Sequence, residues 1–271
     1  MTDRQSSRVY LDSIGCRLNQ SEIENMARQF RRANYELVAA PEDSDIIVLN
    51  TCTVTAGADS ESRRRLRRYH EAQPEASIVA TGCWATLNAD SAQQFAGVDR
   101  VVPNEDKDDL VASIASTSQP IFDREPVARR PVPGIRMRTR AFIKVQDGCD
   151  HHCTYCLTTL ARGDSRSLPI RAVIKQVQAA VKGGAQEAVL SGVQLSGYGG
   201  DLDPAVDLVD LVQSILQHTD IPRLRLSSLE PWGLPETFLQ LWEDPRLCRH
   251  AAPNGSPDHA RGVQAARRSR P

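Results

Sequence analysis

"DIIVLNTCTVT", residues 45–55, is the stretch that decides the fold. Its four apolar residues, Ile46–Leu49, are typical of a strand buried on both faces, and a polar turn with Cys52 follows them directly. The same order returns along the first hundred residues, where short apolar runs alternate with helical patterns. Strands that alternate with helices predict a parallel sheet covered on both faces, so the expected fold class is α/β.

The composition is that of a folded, nearly neutral protein. Of the 271 residues, 40% are hydrophobic and 25% are charged, which excludes a disordered chain. The formal net charge of -1 excludes nucleic-acid binding by overall charge, so any such contact needs a local basic patch. The polar amino terminus and the lack of an eighteen-residue apolar run predict a cytoplasmic protein with no membrane partner.

Three of the seven cysteines follow strands. Cys16, Cys52 and Cys83 each come just after one of the first three predicted strands. Because the carboxyl ends of parallel strands meet at one edge of a sheet, we expect these cysteines to converge. Clustered cysteines in a reducing compartment bind metal or do redox chemistry, so a shared metal site is the preferred interpretation. The alternative is that they are small core residues.

A second set of cysteines is compact. The segment "CDHHCTYC" supplies Cys149, Cys153 and Cys156 after a predicted strand. Structural zinc needs four ligands, and His151 and His152 are threaded too tightly between the thiols to close a tetrahedron easily. A cubane iron–sulfur cluster held by three thiolates, with its fourth iron open, fits better. Zinc and a coincidental surface loop are the alternatives.

The chain is predicted to contain two domains, a linker and a tail. In order, these are an α/β domain, a Pro- and Arg-rich linker, a second domain of alternating strands and helices, and an unstructured tail: 8–115, 116–140, 141–248 and 249–271. The linker is either a solvated connector or a segment that touches an anionic partner.

The two cysteine sets and their surroundings resemble the radical S-adenosylmethionine methylthiotransferase family. The motifs extend from about residue 8 to about residue 250: GCRLNQSE, NTCTVT, TGC, FIKVQDGCDHHCTYC, ARGDSRS, VLSGV and RLRLSSLEP. The resemblance implies an N-terminal parallel-sheet methylthiotransferase domain followed by an incomplete radical-SAM (β/α) barrel. It also implies two [4Fe–4S] clusters, with Cys16, Cys52 and Cys83 as ligands of one and Cys149, Cys153 and Cys156 of the other.

The resemblance further implies S-adenosylmethionine as a cofactor. Tyr155 stands where members of the superfamily carry an aromatic residue near the adenine of this cofactor. Glu187 is the last residue of "GAQE", at the position where members of the superfamily contact the amino group of its methionine part. The implied reaction inserts a methylthio group at an unreactive C–H position. The triplet cluster makes the 5′-deoxyadenosyl radical, the amino-terminal cluster is implicated in sulfur delivery, and an electron donor and a sulfur source are required.

The substrate branch is also indicated by motifs. "NTCTVT" and "KVQDGC" resemble the branch that acts on N6-threonylcarbamoyladenosine beside the anticodon of tRNA. The alternatives are the isopentenyladenosine branch, the ribosomal-protein branch, and a non-catalytic iron–sulfur or RNA-binding fragment. Basic and aromatic residues could contact the RNA, although solvated or packed roles compete: Arg63, Arg64, Arg65, Arg67, Arg68, Arg162, Arg166, Trp84 and Trp232.

The resemblance ends after "EDPRLCRH". The family would continue with another strand, whereas this chain turns to Ala, Arg and Pro, as it would after translation in a shifted frame. Cys248, alone near this point, is expected to be a bystander. An incomplete barrel would leave the radical site partly open, so this chain is expected to have little methylthiotransferase activity of its own.

Overall fold

The computed structural model describes residues 7–115, 139–151, 153–227, 229 and 236–248. These residues fall into two compact units, the first up to residue 115 and the second from residue 139. Each unit is described by itself. The expected tail, and all but two residues of the expected linker, lie outside the described residues.

The first unit is built on a five-stranded parallel sheet. Its strands are β1 (Arg8–Ser13), β2 (Glu36–Leu37), β3 (Ile46–Thr51), β4 (Ser77–Gly82) and β5 (Val98–Val102). Their order is β2-β1-β3-β4-β5, and every pair is parallel. The direction of winding reverses between β1 and β3, and such a switch point is where open α/β sheets form their sites.

Helices cover both faces of this sheet. They are α1 (Arg17–Arg32), α2 (Ala56–Ala72), α3 (Cys83–Leu87), α4 (Ala89–Gln93) and α5 (Leu110–Ala115). Val48 packs with apolar residues of α1 and α5, whereas Ile47 and Leu49 pack with those of α2 and α3. Successive side chains of β3 therefore enter opposite cores, as an unbroken apolar strand predicts.

The second unit contains a three-stranded parallel sheet in the order β10-β9-β6 and an antiparallel pair, β7 with β8. Its elements are β6 (Arg140–Lys144), β7 (Gln146–Asp147), α6 (Leu157–Arg162), β8 (Arg166–Ser167), α7 (Ile170–Lys182), β9 (Glu187–Ser191), α8 (Leu208–His218), β10 (Leu224–Leu226) and a 3₁₀ helix, Glu236–Glu243. The α7 and α8 helices pack on one face of the sheet.

The outer edge of β10 is paired at one point. The Leu224 N–H donates to Arg246 O at 2.8 Å, and the Cys248 N–H donates to Leu224 O at 2.8 Å. Leu247 thereby forms a parallel bridge with Leu224, which is the beginning of a fourth strand position. The parallel α/β class and the partial character of the second sheet are thus as predicted.

The alternating pattern of the sequence predicts helices over 88–95, 167–182 and 205–218, and the structure differs at their boundaries. Within 88–95 the helix is limited to α4, Ala89–Gln93, and Asn88, whose φ of -129° and ψ of 42° are not helical, separates it from α3. The helix expected from Ser167 begins only after Pro169, because Ser167 belongs to β8. The helix expected from residue 205 begins at Leu208, where Asp207 caps it.

Candidate metal centres

The cysteines of the first unit follow strands that are neighbours in the sheet. Cys16 is the N-cap of α1 and comes three residues after β1, Cys52 comes directly after β3, and Cys83 is the first residue of α3, directly after β4. Since β1, β3 and β4 are adjacent and parallel, the fold brings all three cysteines to the carboxyl edge of one sheet. Two of them flank the switch point.

The three thiols influence one another. Cys52 and Cys83 are buried, each with 4% exposure, whereas Cys16 is exposed. Burial raises the pKa of the Cys52 thiol. The backbone N–H of Val54 opposes this shift, and the nearby Cys16 and Cys83 sulfurs add to it. Three thiolates side by side are disfavoured unless a cation neutralises them, which is the condition that metal binding meets.

The backbone before Cys16 packs directly on Cys52. Gly15 has a φ of +94°, and a Cβ placed on it would lie 2.5 Å from Cys52 Sγ. Gly82, before Cys83, is similar, with a φ of +95° and a Cβ position 2.5 Å from Asn50 Oδ1. Only glycine combines this backbone with so close an approach, so the chain geometry around the thiols depends on both residues.

We expect Gly15→Ala to lower the free energy of unfolding of the first unit by about 1–3 kcal/mol. Residue 15 has a left-handed backbone conformation that disfavours alanine, and the new Cβ must displace the Cys52 side chain. The matched control is Gly57→Ala on α2, where a Cβ meets nothing closer than Thr55 Oγ1 at 4.0 Å. The control should be neutral or stabilising by up to about 1 kcal/mol. Thermal unfolding followed by circular dichroism measures both; equal midpoints for the two variants would contradict the expectation.

Two buried asparagines contact the thiols. Asn104 Nδ2 donates to Cys83 Sγ at 3.8 Å, and Cys16 Sγ donates to Asn19 Oδ1 at 3.8 Å. Asn19 Nδ2 also donates to two backbone oxygens at the ends of β1 and β3, at 2.8 and 3.0 Å. Neither asparagine was predicted from the sequence. Asn19 could have been found from its place in "GCRLNQSE", whereas no pattern marks Asn104.

A buried ion pair lies at the same edge. Lys107 Nζ contacts Glu22 Oε2 at 2.9 Å, and both side chains are 2% exposed. Asn50 joins them, since its Oδ1 accepts from Lys107 at 3.2 Å and its Nδ2 donates to Glu22 at 2.9 Å. Asn50 is two residues before Cys52, so the network fixes the strand end that carries this cysteine.

The compact set of three cysteines in the second unit, Cys149, Cys153 and Cys156, lies in the loop between β7 and α6. Cys149 is buried, and its Sγ donates to Gln194 Oε1 at 3.2 Å. Cys156 is the N-cap of α6, and its backbone N–H donates to Cys153 O at 3.1 Å. The loop therefore ends in a tight turn that keeps its last two cysteines near each other.

The start of α6 favours the ionised form of Cys156. Burial opposes ionisation, but hydrogen bonds from Thr159 and Thr158 outweigh it, so the pKa of the Cys156 thiol lies below its usual value. Tyr155 beside it is 60% exposed. Its ring is open to a ligand that stacks from solvent, and the predicted adenine contact stays a prediction.

A buried glutamine joins the cysteine loop to the segment after β9. Gln146 Nε2 donates to the backbone oxygens of Asp147 and Gly148 at 2.9 and 2.7 Å. Its Oε1 accepts from the backbone N–H groups of Val193 and Gln194, both at 2.9 Å. Gln194 in turn contacts the first cysteine of the loop. Gln146 and Gln194 were not predicted, although both lie in or beside the motifs "KVQDGC" and "VLSGV".

Glu187 is not brought to the cysteine loop. It is the first residue of β9 and pairs with Arg140, the first residue of β6, whereas the cysteine loop follows the other end of β6. Its buried carboxylate contacts Arg140 Nε at 3.1 Å and Arg225 Nε at 2.9 Å. The length of the strand separates Glu187 from that edge, so this placement does not support the expected cofactor contact, which stays a prediction.

The arginines of α2 have partners on the protein itself. Each of the five makes an ion pair or stacks on a ring. Arg63 pairs with Asp59, and Arg64 pairs with Glu61. Arg65 pairs with both Glu61 and Asp12. Arg67 stacks on the Phe95 ring, and Arg68 stacks on the Tyr69 ring. Much of the positive charge is thus balanced, which favours a solvated face over an RNA site.

Two other RNA candidates have packing roles. Arg162 is buried and contacts Asp147 at 2.8 Å, which favours the packed role, whereas Arg166 is exposed. Trp84 is buried edge-to-face against Phe95, with ring centroids 5.8 Å apart. Trp232 lies outside the described residues.

Across the described residues, no three Cys, His, Asp or Glu side chains meet in a geometry that could hold a metal ion. The structure thus brings one set of cysteines to a sheet edge and the other to one loop, and the assignment of all six as ligands stays a prediction. The same residues include no helix that is long and apolar enough to cross a membrane.

The fold of the chain is shared with solved structures. It is similar to the radical S-adenosylmethionine methyltransferase TsrM from Kitasatospora setae, with a TM-score of 0.62 and 14% identity over 90% of this chain and 60% of that chain. Identity this low shows a common fold alone. Residues 8–103 match the model of "Uncharacterized protein family UPF0004".

Relatives with closer sequences carry a specific name. The threonylcarbamoyladenosine tRNA methylthiotransferase MtaB of Aquifex aeolicus is 32% identical over 86% of this chain and 59% of its own length. MtaB of Bacillus subtilis is 34% identical over 86% of this chain and 54% of its own. The chain spans little more than half the length of these relatives. Its resemblance to the MtaB-like methylthiotransferases, first indicated by the motifs, is confirmed.

Proposed function

We propose that the chain carries the machinery of a tRNA methylthiotransferase that converts N6-threonylcarbamoyladenosine beside the anticodon to its 2-methylthio derivative. The observation that carries this proposal is the placement of two sets of three thiols, one at a sheet edge and one in a strand-following loop, in a chain 32–34% identical to relatives named for this reaction.

Each set would hold one [4Fe–4S] cluster. Cys16, Cys52 and Cys83 fit because their repulsion is relieved by a cation and because Gly15 leaves room for their approach. In the triplet, the pKa of the Cys156 thiol lies below its usual value, which favours the thiolate form that a cluster ligand must have. When bound, such clusters supply an electron to S-adenosylmethionine and a place for transferable sulfur, which an electron donor and a sulfur source must provide.

The chain's own residues position these groups. Gln146 fixes the cysteine loop against the segment after β9, and Tyr155 offers an exposed ring next to the thiols. In the first unit, Asn104 and Asn19 orient the Cys83 and Cys16 sulfurs. The threonylcarbamoyl branch is preferred because the tRNA-2-methylthio-N(6)-dimethylallyladenosine synthase of Herpetosiphon aurantiacus is only 28% identical over 87% of this chain.

The proposal is tested by mass spectrometry of tRNA nucleosides from a deletion strain complemented with this chain. A strain that carries the Bacillus subtilis relative and a vector strain are the controls. Since the part of the second sheet that the structure describes has three strands and one further bridge, we expect the 2-methylthio threonylcarbamoyl nucleoside well below the level given by the relative but above the vector. The isopentenyl product would support the other tRNA branch. If neither product forms, the hypothesis of a non-catalytic fragment is favoured.

A further inference from the structure

One side-chain amide of α1 is buried without a hydrogen-bond partner among the described residues. Gln20 Nε2 is shielded from solvent, and none of these residues accepts a hydrogen bond from it. Buried polar atoms nearly always have a partner, because the hydration that they lose on folding is otherwise uncompensated. The exception at Gln20 therefore indicates an acceptor that binds to the folded chain.

Gln20 lies on the same face of α1 as the first cysteine. Its backbone N–H donates to Cys16 O at 3.2 Å, which places it one turn after this cysteine. Asn19 and Ile23 share the face, and both are 0% exposed, so Gln20 belongs to the buried stripe of the helix. Because helical side chains lean toward the N-terminus, the Gln20 side chain covers the turn that carries Cys16.

The Cys16 sulfur faces the same stripe. Cys16 Sγ donates to Asn19 Oδ1 at 3.8 Å, so the thiol lies over the turn that precedes Gln20. A cysteine becomes a metal ligand by losing its proton, after which its sulfur can only accept hydrogen bonds. Asn19 Oδ1 then receives no proton from this sulfur, whereas the N–H groups of Gln20 gain an acceptor.

The other two sulfurs of this set receive N–H donors. Asn104 Nδ2 donates to Cys83 Sγ at 3.8 Å, and the backbone N–H of Val54 hydrogen-bonds to the Cys52 sulfur. Hydrogen bonds to the sulfurs stabilise the more negative, reduced state of an iron–sulfur cluster and so raise its reduction potential. A donor from Gln20 completes this pattern, with an N–H group for each ligand sulfur.

We propose that Gln20 is a positioning residue whose amide donates to the Cys16 sulfur once the first set of cysteines holds its cluster. This hydrogen bond raises the reduction potential of that cluster. The inference rests on the proposed function only where that function gives Cys16, Cys52 and Cys83 a [4Fe–4S] cluster.

The test is a redox titration of the whole, anaerobically reconstituted chain, followed by electron paramagnetic resonance, with Gln20→Leu and Gln20→Glu. For Gln20→Leu we expect the reduction equilibrium of the first cluster to fall about tenfold, which is about 59 mV for a one-electron couple. Gln20→Glu keeps the shape of the side chain but adds a negative charge, so its shift should be at least as large. Joint replacement of Cys149, Cys153 and Cys156 by serine identifies the signal of the first cluster.

The matched control is Gln29→Leu, which changes a half-buried glutamine farther along α1 and should leave the potential unchanged. Thermal unfolding of the chain without clusters supplies a second readout. Because the Gln20 amide has no partner there among the described residues, Gln20→Leu should leave the midpoint unchanged or raise it. An amide with a structural role would lower the midpoint when it is removed.

The proposal is overturned by an unchanged potential in both Gln20 variants, by an equal shift in Gln29→Leu, or by a lowered midpoint of the cluster-free Gln20→Leu chain. Iron analysis separates these results from a failure of the proposed function. If the first set takes up no cluster, both proposals fail, whereas full iron content with an unchanged potential overturns the inference about Gln20 alone.

Discussion

Lys107→Met is expected to lower the free energy of unfolding of the first unit by about 3–5 kcal/mol, because it leaves the Glu22 carboxylate buried without its cation. The Lys107 and Glu22 side chains are each 2% exposed, and Asn50 cannot replace the lost charge. Urea unfolding of the whole chain, followed by circular dichroism, measures the change.

Two further variants show whether the effect belongs to the ion pair. Lys175→Met removes an exposed lysine of α7 and should change stability by no more than about 0.5 kcal/mol. The double variant Lys107→Met with Glu22→Leu removes both charges and should recover most of the loss. If the double variant were as unstable as the single one, packing rather than charge would explain the result.

Replacement of Cys149, Cys153 and Cys156 together by serine is expected to abolish the reductive cleavage of S-adenosylmethionine. Loss of one residue that hydrogen-bonds to a metal ligand lowers metal affinity or activity by about 10- to 100-fold. Loss of three ligands themselves should have a larger effect. The measurement is 5′-deoxyadenosine formed by the anaerobically reconstituted chain with a chemical reductant.

The matched control replaces the other three cysteines, Cys16, Cys52 and Cys83, by serine. These residues belong to the first unit, so 5′-deoxyadenosine should still form at the rate of the unmodified chain while methylthiolation is lost. Equal loss of 5′-deoxyadenosine in both triple variants would contradict separate roles for the two sets.

Much of the first unit could be predicted because its information is local. The apolar run Ile46–Leu49 forms the central strand, and the order of parallel strands places Cys16, Cys52 and Cys83 at one edge. Their association follows from topology alone, without any knowledge of side-chain packing. The compact triplet was also found from its spacing.

Residues that act through distant partners could not be predicted. Lys107 and Glu22 are 85 residues apart in the sequence and meet only after the sheet has formed. The position of Glu187 could not be predicted because a motif gives the strand but not the end of the strand at which a residue lies. Arg162 looked like a surface cation because its partner, Asp147, lies fifteen residues away in the sequence.

The most direct test of the two-cluster account is the iron and sulfide content of the anaerobically reconstituted chain and of its two triple-serine variants. The account predicts about eight irons for the unmodified chain and about four for each variant, with the Mössbauer signature of cubane clusters in all three. About four irons in the unmodified chain, all lost in one variant and all kept in the other, would contradict it, as would zinc in place of iron.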